Sequence, residues 1–459
     1  MTTLSGVSPE DFTLRTEQEI EEIARTIAVE HEDAERARTQ AFREAADVGP
    51  VAGVTPSSSM PAPYTDRGEI ARGGMGAVRS AFDEDLQRPV AIKVMLPSLS
   101  RNEALAQRFI DEARITASID HPNIAPIYRL ATGPDGSLSL VMKLIEGRTL
   151  GSYLRSLPAP PWPPSVLDSV LSIFVKICDA VAFAHSRGVI HLDLKPDNIM
   201  LGAFGQVYVV DWGIARSRPT GDQPDVIKTL SPKGASTGTP SYMSPEQALR
   251  IEPHISELTD VFLLGGILYE VLTAQRPHEG QTVAAVLTSA IRGRVTPPAT
   301  RAPNRSMPPA LAAVAMKALE ARPADRYQSV LDLQREVLAF QRGEERAPRR
   351  TYEMGSVVIR EGERGDEAFV VVSGRCAVTA MSEGQRIVLR DLEPGDVFGE
   401  TAIFSDEPRS ATVEATETLV VRVVTGETLS QTLGLQTWTG AFVKALADRF
   451  READRRNRL

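Results

Sequence analysis

The stretch His191-Leu-Asp-Leu-Lys-Pro-Asp-Asn198 constrains this chain more than any other part of it. It concentrates carboxylates, an ammonium group and a carboxamide in one short segment. Asp193 can accept a proton from a hydroxyl and orient the oxygen that loses it. Asn198 can offer an amide oxygen to a hard cation, and Lys195 can balance negative charge that builds up beside Asp193. A strand pattern, Val207 to Val210, leads into Asp211-Trp-Gly213, where Asp211 supplies a second oxygen donor. A fold that uses these residues must bring two loops from either side of a short strand to one point.

Three further segments precede this one in the order such a site requires. Ile70-Ala-Arg-Gly-Gly-Met-Gly-Ala-Val78 is a glycine-rich turn between strand-like runs. Its glycines would let backbone N–H groups approach phosphates without a side-chain clash. Alone it is a weak signal, since a plain glycine-rich turn reads the same way. Val90-Ala-Ile-Lys93 is a buried-strand pattern ending in a lysine. A lysine on an inward strand needs an anion, and a phosphate or a helix glutamate supplies one. Glu112, in Arg108-Phe-Ile-Asp-Glu-Ala-Arg114, is the candidate glutamate; Asp111 lies on a different helix face.

In this order the motifs resemble those of the bacterial eukaryotic-like (Hanks-type) serine/threonine protein kinases, over roughly residues 64–342. His121-Pro-Asn-Ile124 is similar to the turn after the helix that carries the glutamate. Leu140-Val-Met-Lys-Leu-Ile-Glu-Gly147 is similar to the hinge, with Met142 at the gatekeeper position. Gly238-Thr-Pro-Ser-Tyr-Met-Ser-Pro-Glu246 is similar to the end of the activation segment, and Asp260-Val-Phe-Leu-Leu-Gly265 to the core helix after it. The resemblance implies transfer of the ATP γ-phosphoryl group to protein serine or threonine, with autophosphorylation. It implies catalytic roles for Asp193, Lys195, Lys93 and Glu112. ATP would be held by Ile70, Ala71, Gly73, Gly74, Gly76, Val78, Ala91, Lys93, Met142, Lys143 and Ile145. Asn198 and Asp211 would bind Mg²⁺, or Mn²⁺ in its place. Arg326 would pair with Glu246 in a structural role. Lys195 and Thr239 are the serine/threonine arrangement.

Three positions depart from the family pattern. Ala71 stands where the first loop glycine is usual, Leu192 where an arginine precedes the catalytic aspartate, and Trp212 where a phenylalanine follows Asp211. The missing arginine normally pairs with an activation-loop phosphate. Activity is therefore expected to depend weakly on phosphorylation at Thr229, Ser231, Ser236 or Thr237. With Lys93, Glu112, Asp193, Asn198 and Asp211 all present, an active enzyme is expected rather than a vestigial scaffold.

Residues 351–459 carry a second resemblance. The run from Gly355 to Gly374 is similar to the opening strands of a cyclic-nucleotide-binding β-roll. Phe398-Gly-Glu-Thr-Ala-Ile403 with Pro408-Arg-Ser-Ala-Thr412 is similar to that family's phosphate-binding cassette. The resemblance implies a site made of Gly399, Glu400, Thr401, Ala402, Arg409, Ser410, Ala411 and Thr412 for cAMP or cGMP. Arg409 would face the exocyclic oxygens and Glu400 the ribose hydroxyl, with a short helix starting near Glu400. A last helical pattern, Thr437 to Arg455, could close over the ligand with Trp438 or Phe442. β-rolls of this kind that bind no nucleotide leave a docking module as the alternative.

The expected fold class is multidomain: an α+β bilobal kinase fold (64–342, lobes meeting near 145) followed by a jelly-roll-like β-roll (351–459) with flanking helices. Strand-like runs at Val357–Ile359, Ala368–Val372, Ile387–Leu389 and Leu419–Val424 and helical patterns at Val166–His185 and Asp260–Thr273 fit it. Ahead of it, Thr16 to Ala46 is helix-forming without Pro or Gly, and Leu14, Ile20, Ile23 and Ile27 give it a narrow apolar stripe. That helix reads as solvated, or as one that docks on the kinase or dimerises. Residues 48–63 and 343–350 read as linkers. The net charge of −9 argues against nucleic acid as a partner. Two cysteines, Cys178 and Cys376, build neither a disulfide framework nor a zinc site. No apolar run reaches the length of a membrane span, so a cytoplasmic location is expected; a homodimer stays open.

Overall fold

The computed structural model describes residues 16–47, 61, 63–73, 76–96, 102–133, 137–158, 162–217, 238–305, 307–342, 349–382, 385–400 and 408–425. The chain forms two compact units, divided between Val337 and Leu338. Among the described residues no helix is long and apolar enough to cross a membrane.

The first unit begins with α1 (Glu17–Asp47). Five strands follow: β1 (Tyr64–Gly73), β2 (Gly76–Asp83), β3 (Arg88–Met95), β4 (Ile127–Thr132) and β5 (Leu138–Lys143). They form one antiparallel sheet in the order β1-β2-β3-β5-β4. Side chains of β3 alternate between its faces. Val90, Ile92 and Val94 pack with Ala81 and Val141 on one side. Met95 packs with Leu140 on the other, against Phe109 and Ala113 of α2 (Glu103–Ser118). Lys93 shares the α2 side by this period. Asn102 caps α2 by accepting from the backbone N–H groups of Ala104 and Leu105.

The helical part comprises α3 (Leu150–Ser156), α4 (Pro164–Ser186), α5 (Pro245–Ala248), α6 (Glu257–Thr273), α7 (Val283–Arg292), α8 (Pro298–Arg301), α9 (Pro309–Ala318) and α10 (Val330–Gln341). Of these, α6 is apolar nearly all round and is buried from Thr259 to Tyr269, which marks it as the core helix. A small sheet, β6 (Gly147–Thr149), β8 (Ile199–Gly202) and β9 (Val207–Val209), sits at the junction of the two lobes, and β7 (Val189–Ile190) pairs with β10 (Arg216–Ser217). A parallel bridge from Ile124 to Val209 ties the turn after α2 to β9. The α1 stripe is not solvated over its described side chains: Ile20, Ile23, Ala24, Ile27 and Ala28 pack on α5 and α7.

The second unit contains two four-stranded antiparallel sheets. One is β11 (Arg349–Tyr352), β18 (Leu419–Thr425), β13 (Glu367–Ser373) and β16 (Val397–Phe398), in that order. The other is β12 (Val357–Ile359), β17 (Thr412–Ala415), β14 (Cys376–Ser382) and β15 (Gln385–Leu392). Phe369, Val371, Leu392, Phe398, Val413, Leu419, Val421 and Val423 form its core, with the Phe369 and Phe398 rings stacked 5.1 Å apart. Gly374 has φ +82°, and a Cβ there would lie 2.2 Å from the Thr418 carbonyl oxygen. The turn into β14 therefore needs glycine. Both expected architectures, a two-lobed α+β unit and a β-roll, are present.

Candidate active site

Lys93 is placed by β3 and Glu112 by α2, and their side chains meet at 2.6 Å. Burial alone would depress the Lys93 pKa, but the carboxylates of Glu112 and Asp211 raise it above its ordinary value, so the ammonium stays charged. The other oxygen of Glu112, Oε2, is buried and has no hydrogen-bond partner among the described residues. A Cβ on Gly213 would stand 3.2 Å from that oxygen and 3.3 Å from Asp211 Oδ1. The two carboxylates thus converge on the one residue that offers no side chain.

Asp193 lies between three donors. Its Oδ1 accepts from Thr239 Oγ1 at 2.8 Å. Its Oδ2 accepts from Lys195 Nζ at 2.7 Å and from Asn198 Nδ2 at 3.1 Å. Lys195 also donates to Thr239 Oγ1 at 2.6 Å. Asn198 Nδ2 donates again to the Asp193 carbonyl at 2.8 Å, which turns the carboxamide oxygen away from these acceptors. That oxygen and Asp211, whose φ of +64° is a left-handed value rare for a residue with a side chain, are the oxygen donors expected for a hard cation. These two oxygen donors suit a hard divalent cation.

The loop that carries Asp193 is held from below by Asp260 on α6. Its buried carboxylate accepts from the backbone N–H of His191 at 2.8 Å, from that of Leu192 at 2.9 Å and from His185 Nε2 at 2.7 Å. Gln247 on α5 donates to the Leu192 carbonyl at 2.8 Å. The His191 ring stands against Trp212 at 4.5 Å, so Trp212 is an apolar anchor for the second loop. Glu246 and Arg326 form a fully buried forked pair at 2.7 and 2.8 Å. Asp260 lies in a segment expected to form the core helix, without a role of its own, and Gln247 falls just past the Gly238–Glu246 motif. Tyr242, bonded to Glu270 near Asp197, was also missed. All of these act across long sequence separations that a local pattern does not show.

On the sheet, register pairs Val78 with Lys93, Ala71 with Val78 and Ala91 with Met142. These side chains share the α2 side of the sheet with Lys93. Gly73 pairs with Gly76, where a Cβ would lie 2.1 Å from the Val94 carbonyl oxygen, so only glycine fits. Ile70 is exposed on β1. Lys143 sends its ammonium to Tyr208 Oη at 2.7 Å. Ile145 follows β5 in the connecting segment. Gly74 lies outside the described residues, as do Thr229, Ser231, Ser236 and Thr237.

In the second unit, Gly399 (φ +73°) and Arg409 are neighbours: Arg409 Nη1 donates to the Gly399 carbonyl at 2.8 Å and Nη2 to that of Glu367 at 2.7 Å. Burial lowers the Arg409 pKa, against the opposing charges of Glu367, Asp366, Glu400 and Glu363. Glu400 is exposed, Ala411 buried, and Thr412 Oγ1 accepts from the Glu361 N–H at 3.0 Å. Ser410 is exposed beside Arg409. Thr401, Ala402, Trp438, Phe442 and the expected last helix lie outside the described residues.

The protein kinase domain family matches residues 64–337, more than half of the chain. The chain belongs to the protein kinase family. The cyclic nucleotide-binding domain family matches residues 349–434 of this kinase-family chain. Among curated relatives, the serine/threonine-protein kinase PknD of Chlamydia felis is 39% identical over 284 residues, covering 58% of this chain and 30% of the relative. The protein of the same name from Chlamydia trachomatis serovar D is 37% identical over 300 residues, covering 60% of this chain and 31% of the relative. The kinase-family chain thus spans about a third of the length of the curated relatives it matches. Membership in this family implies ATP and a divalent metal.

Within the family, Leu192 is the departure with the clearest structural outcome. It is buried at φ +68° and packs with Ile190, Ile214 and Ile255. The place of a phosphate-seeking cation is filled by hydrocarbon.

Proposed function

We propose that this chain is a serine/threonine protein kinase whose activity is regulated by a cyclic nucleotide bound to its second unit. One observation supports the first half: Thr239, Lys195 and Asn198 hold the Asp193 carboxylate, and the Asn198 carbonyl accepts from the N–H of Val210, the residue before Asp211, whose charge acts on the Lys93–Glu112 pair. In the reaction, the substrate hydroxyl oxygen forms a bond to the γ-phosphorus of ATP as the bond to the bridging oxygen of ADP breaks. Asp193 takes the hydroxyl proton. Lys195 stabilises charge on the transferred group, and Lys93, held by Glu112, anchors the nucleotide phosphates. Asn198 and Asp211 would hold the divalent metal, which would supply charge neutralisation at the transferred group.

The regulatory half rests on Gly399 and Arg409 lying side by side within the matched domain. A second reading has its own observation. Arg409 spends two N–H groups on the carbonyls of Gly399 and Glu367, as an arginine that braces the β-roll would. On that reading the unit is a docking module without ligand.

The test is phosphate transfer from Mg·ATP to a generic serine/threonine protein substrate and to the chain itself, with and without cAMP or cGMP. Asp193→Asn is the control. Transfer that responds to a nucleotide and loses the response in Arg409→Ala supports both halves. Transfer without any response leaves the kinase and favours the docking module. No transfer by the wild-type chain rejects the kinase reading in favour of a kinase-fold scaffold.

A further inference from the structure

Helix α1 lies outside the matched kinase domain, yet it packs on the segment that supplies Thr239. Its inward residues, Ile20, Ile23, Ala24, Ile27 and Ala28, recur at helical spacing. Ala24 is 0% exposed and Ala28 5%. Small side chains at the centre of the stripe let the helix approach closely, and larger isoleucines flank them. The receiving surface is Val283, Leu287 and Ile291 of α7 with Met243 from the end of the activation segment and Leu249 and Ile251 just after it.

Ion pairs fix the register at both ends. Glu17, in the first turn of α1, meets Arg292, in the last turn of α7. Glu30 meets Arg250 at 2.5 Å. The thirteen residue steps from Glu17 to Glu30 rise about 20 Å along a helix. A helix pinned at two such points cannot slide by a turn without losing both pairs.

The covered residues lead directly to the catalytic aspartate. The backbone N–H groups of Tyr242 and Met243 donate to the Thr239 carbonyl at 2.9 and 3.2 Å, and the Thr239 hydroxyl holds Asp193. Next to Ala248 and Leu249, Gln247 holds the carbonyl of Leu192, the residue before Asp193. The Met243 carbonyl accepts from His278 Nε2 at 3.1 Å, and His278 Nδ1 is bonded to Ser289 of α7 at 3.2 Å. The outer face of this segment therefore meets α1, and its inner face sets Asp193.

We infer that residues 17–33 are a positioning element of the active site: α1, seated on α5 and α7, holds the Gly238–Ile251 segment so that Thr239 and Gln247 fix Asp193. The inference rests on the kinase reading above. It assigns α1 a supporting role rather than that of a cover that must leave.

The test uses the full chain with Ala24→Glu and Ala28→Glu together, which place carboxylates in the buried stripe. The expected result is a fall of at least tenfold in kcat for protein substrate, with the KM for ATP unchanged and the thermal transition of the kinase unit retained. A milder variant, Glu30→Arg, should lower kcat about twofold to fivefold, the range for an exposed ion pair. Adding Arg250→Glu to it should restore the wild-type value. An unchanged or raised kcat in the stripe variant overturns the inference, as does failure of the charge swap to restore kcat. If the stripe variant does not fold, the Glu30→Arg and charge-swap pair decides alone. A wild-type chain without transfer activity would instead reject the kinase reading, so the two failures are distinguishable.

Discussion

The Thr239 hydroxyl donates to Asp193 Oδ1 at 2.8 Å while it accepts from Lys195 Nζ at 2.6 Å. One hydroxyl thus joins the end of the activation segment to both the proton acceptor and its neighbouring cation. Thr239→Ala leaves Asp193 without one of its charge-assisted bonds, each of which contributes about 1.5–3 kcal/mol. The expected loss in kcat is about tenfold to a hundredfold, read by phosphate transfer to a protein substrate. Thr239→Ser keeps the hydroxyl and should retain most of the activity. Equal losses in the two variants would show that the methyl group, not the hydrogen bond, matters here.

His278 gives a pH dependence with a defined sign. Burial drives its pKa down from 6.5 to about 4, against the bond to the Met243 carbonyl, which raises it. A base with a depressed folded-state pKa favours the native state above its unfolded-state value. That stability is lost as pH falls from about 6.5 towards 4, because the unfolded chain takes up the proton first. The stability of the wild-type chain against thermal unfolding should decline as pH falls through this window, by roughly 1 kcal/mol per pH unit. In His278→Gln the curve should be flatter between the same limits.

Leu192 sets the expected response to phosphorylation. A buried leucine among Ile190, Ile214 and Ile255 offers no charge to a phosphorylated residue. Phosphatase treatment of purified protein should therefore change kcat by less than about threefold, well under the effect of a charge-assisted bond. Mass spectrometry of the treated and untreated samples provides the phosphate count. A loss of tenfold or more on dephosphorylation would show that another cation takes the place of the arginine.

Arg409 separates charge from geometry. Its fork spans the carbonyls of Gly399 and Glu367, which a lysine cannot copy. Arg409→Lys should weaken cAMP or cGMP binding at least tenfold in calorimetry if the nucleotide site forms as proposed. The same variant should lower the melting temperature of the second unit whether or not a nucleotide binds there. Wild-type affinity in the lysine variant would show that the fork is not part of the site.

The candidate site of the first unit was legible because its residues sit in short motifs whose spacing is set by single strands and turns. Lys93 and Glu112 come from separate elements, yet each carries its own local signature, and they meet at 2.6 Å. Asp260 was harder to read, because its role depends on backbone N–H groups of His191 and Leu192 that no side-chain pattern reports. In α1 the isoleucines were visible as a stripe, whereas Ala24 and Ala28 looked neutral. Their importance appears only once the fold buries them in the cluster with α5 and α7. Arg409 reads in its motif as a phosphate ligand; in the folded chain two of its N–H groups go to main-chain carbonyls, a use that a local motif cannot anticipate.

The four-residue hydrocarbon cluster around Leu192 also bears on how this active site senses its surroundings. A loop seated by a guanidinium and a phosphate loosens as ionic strength rises, since screening reaches charges near the surface. Here the loop rests on leucine and isoleucine and on the buried Asp260 carboxylate; salt screens a buried charge little, and the apolar part of the seat loses grip on cooling. For this chain, temperature rather than ionic strength is the variable that should retune the catalytic loop.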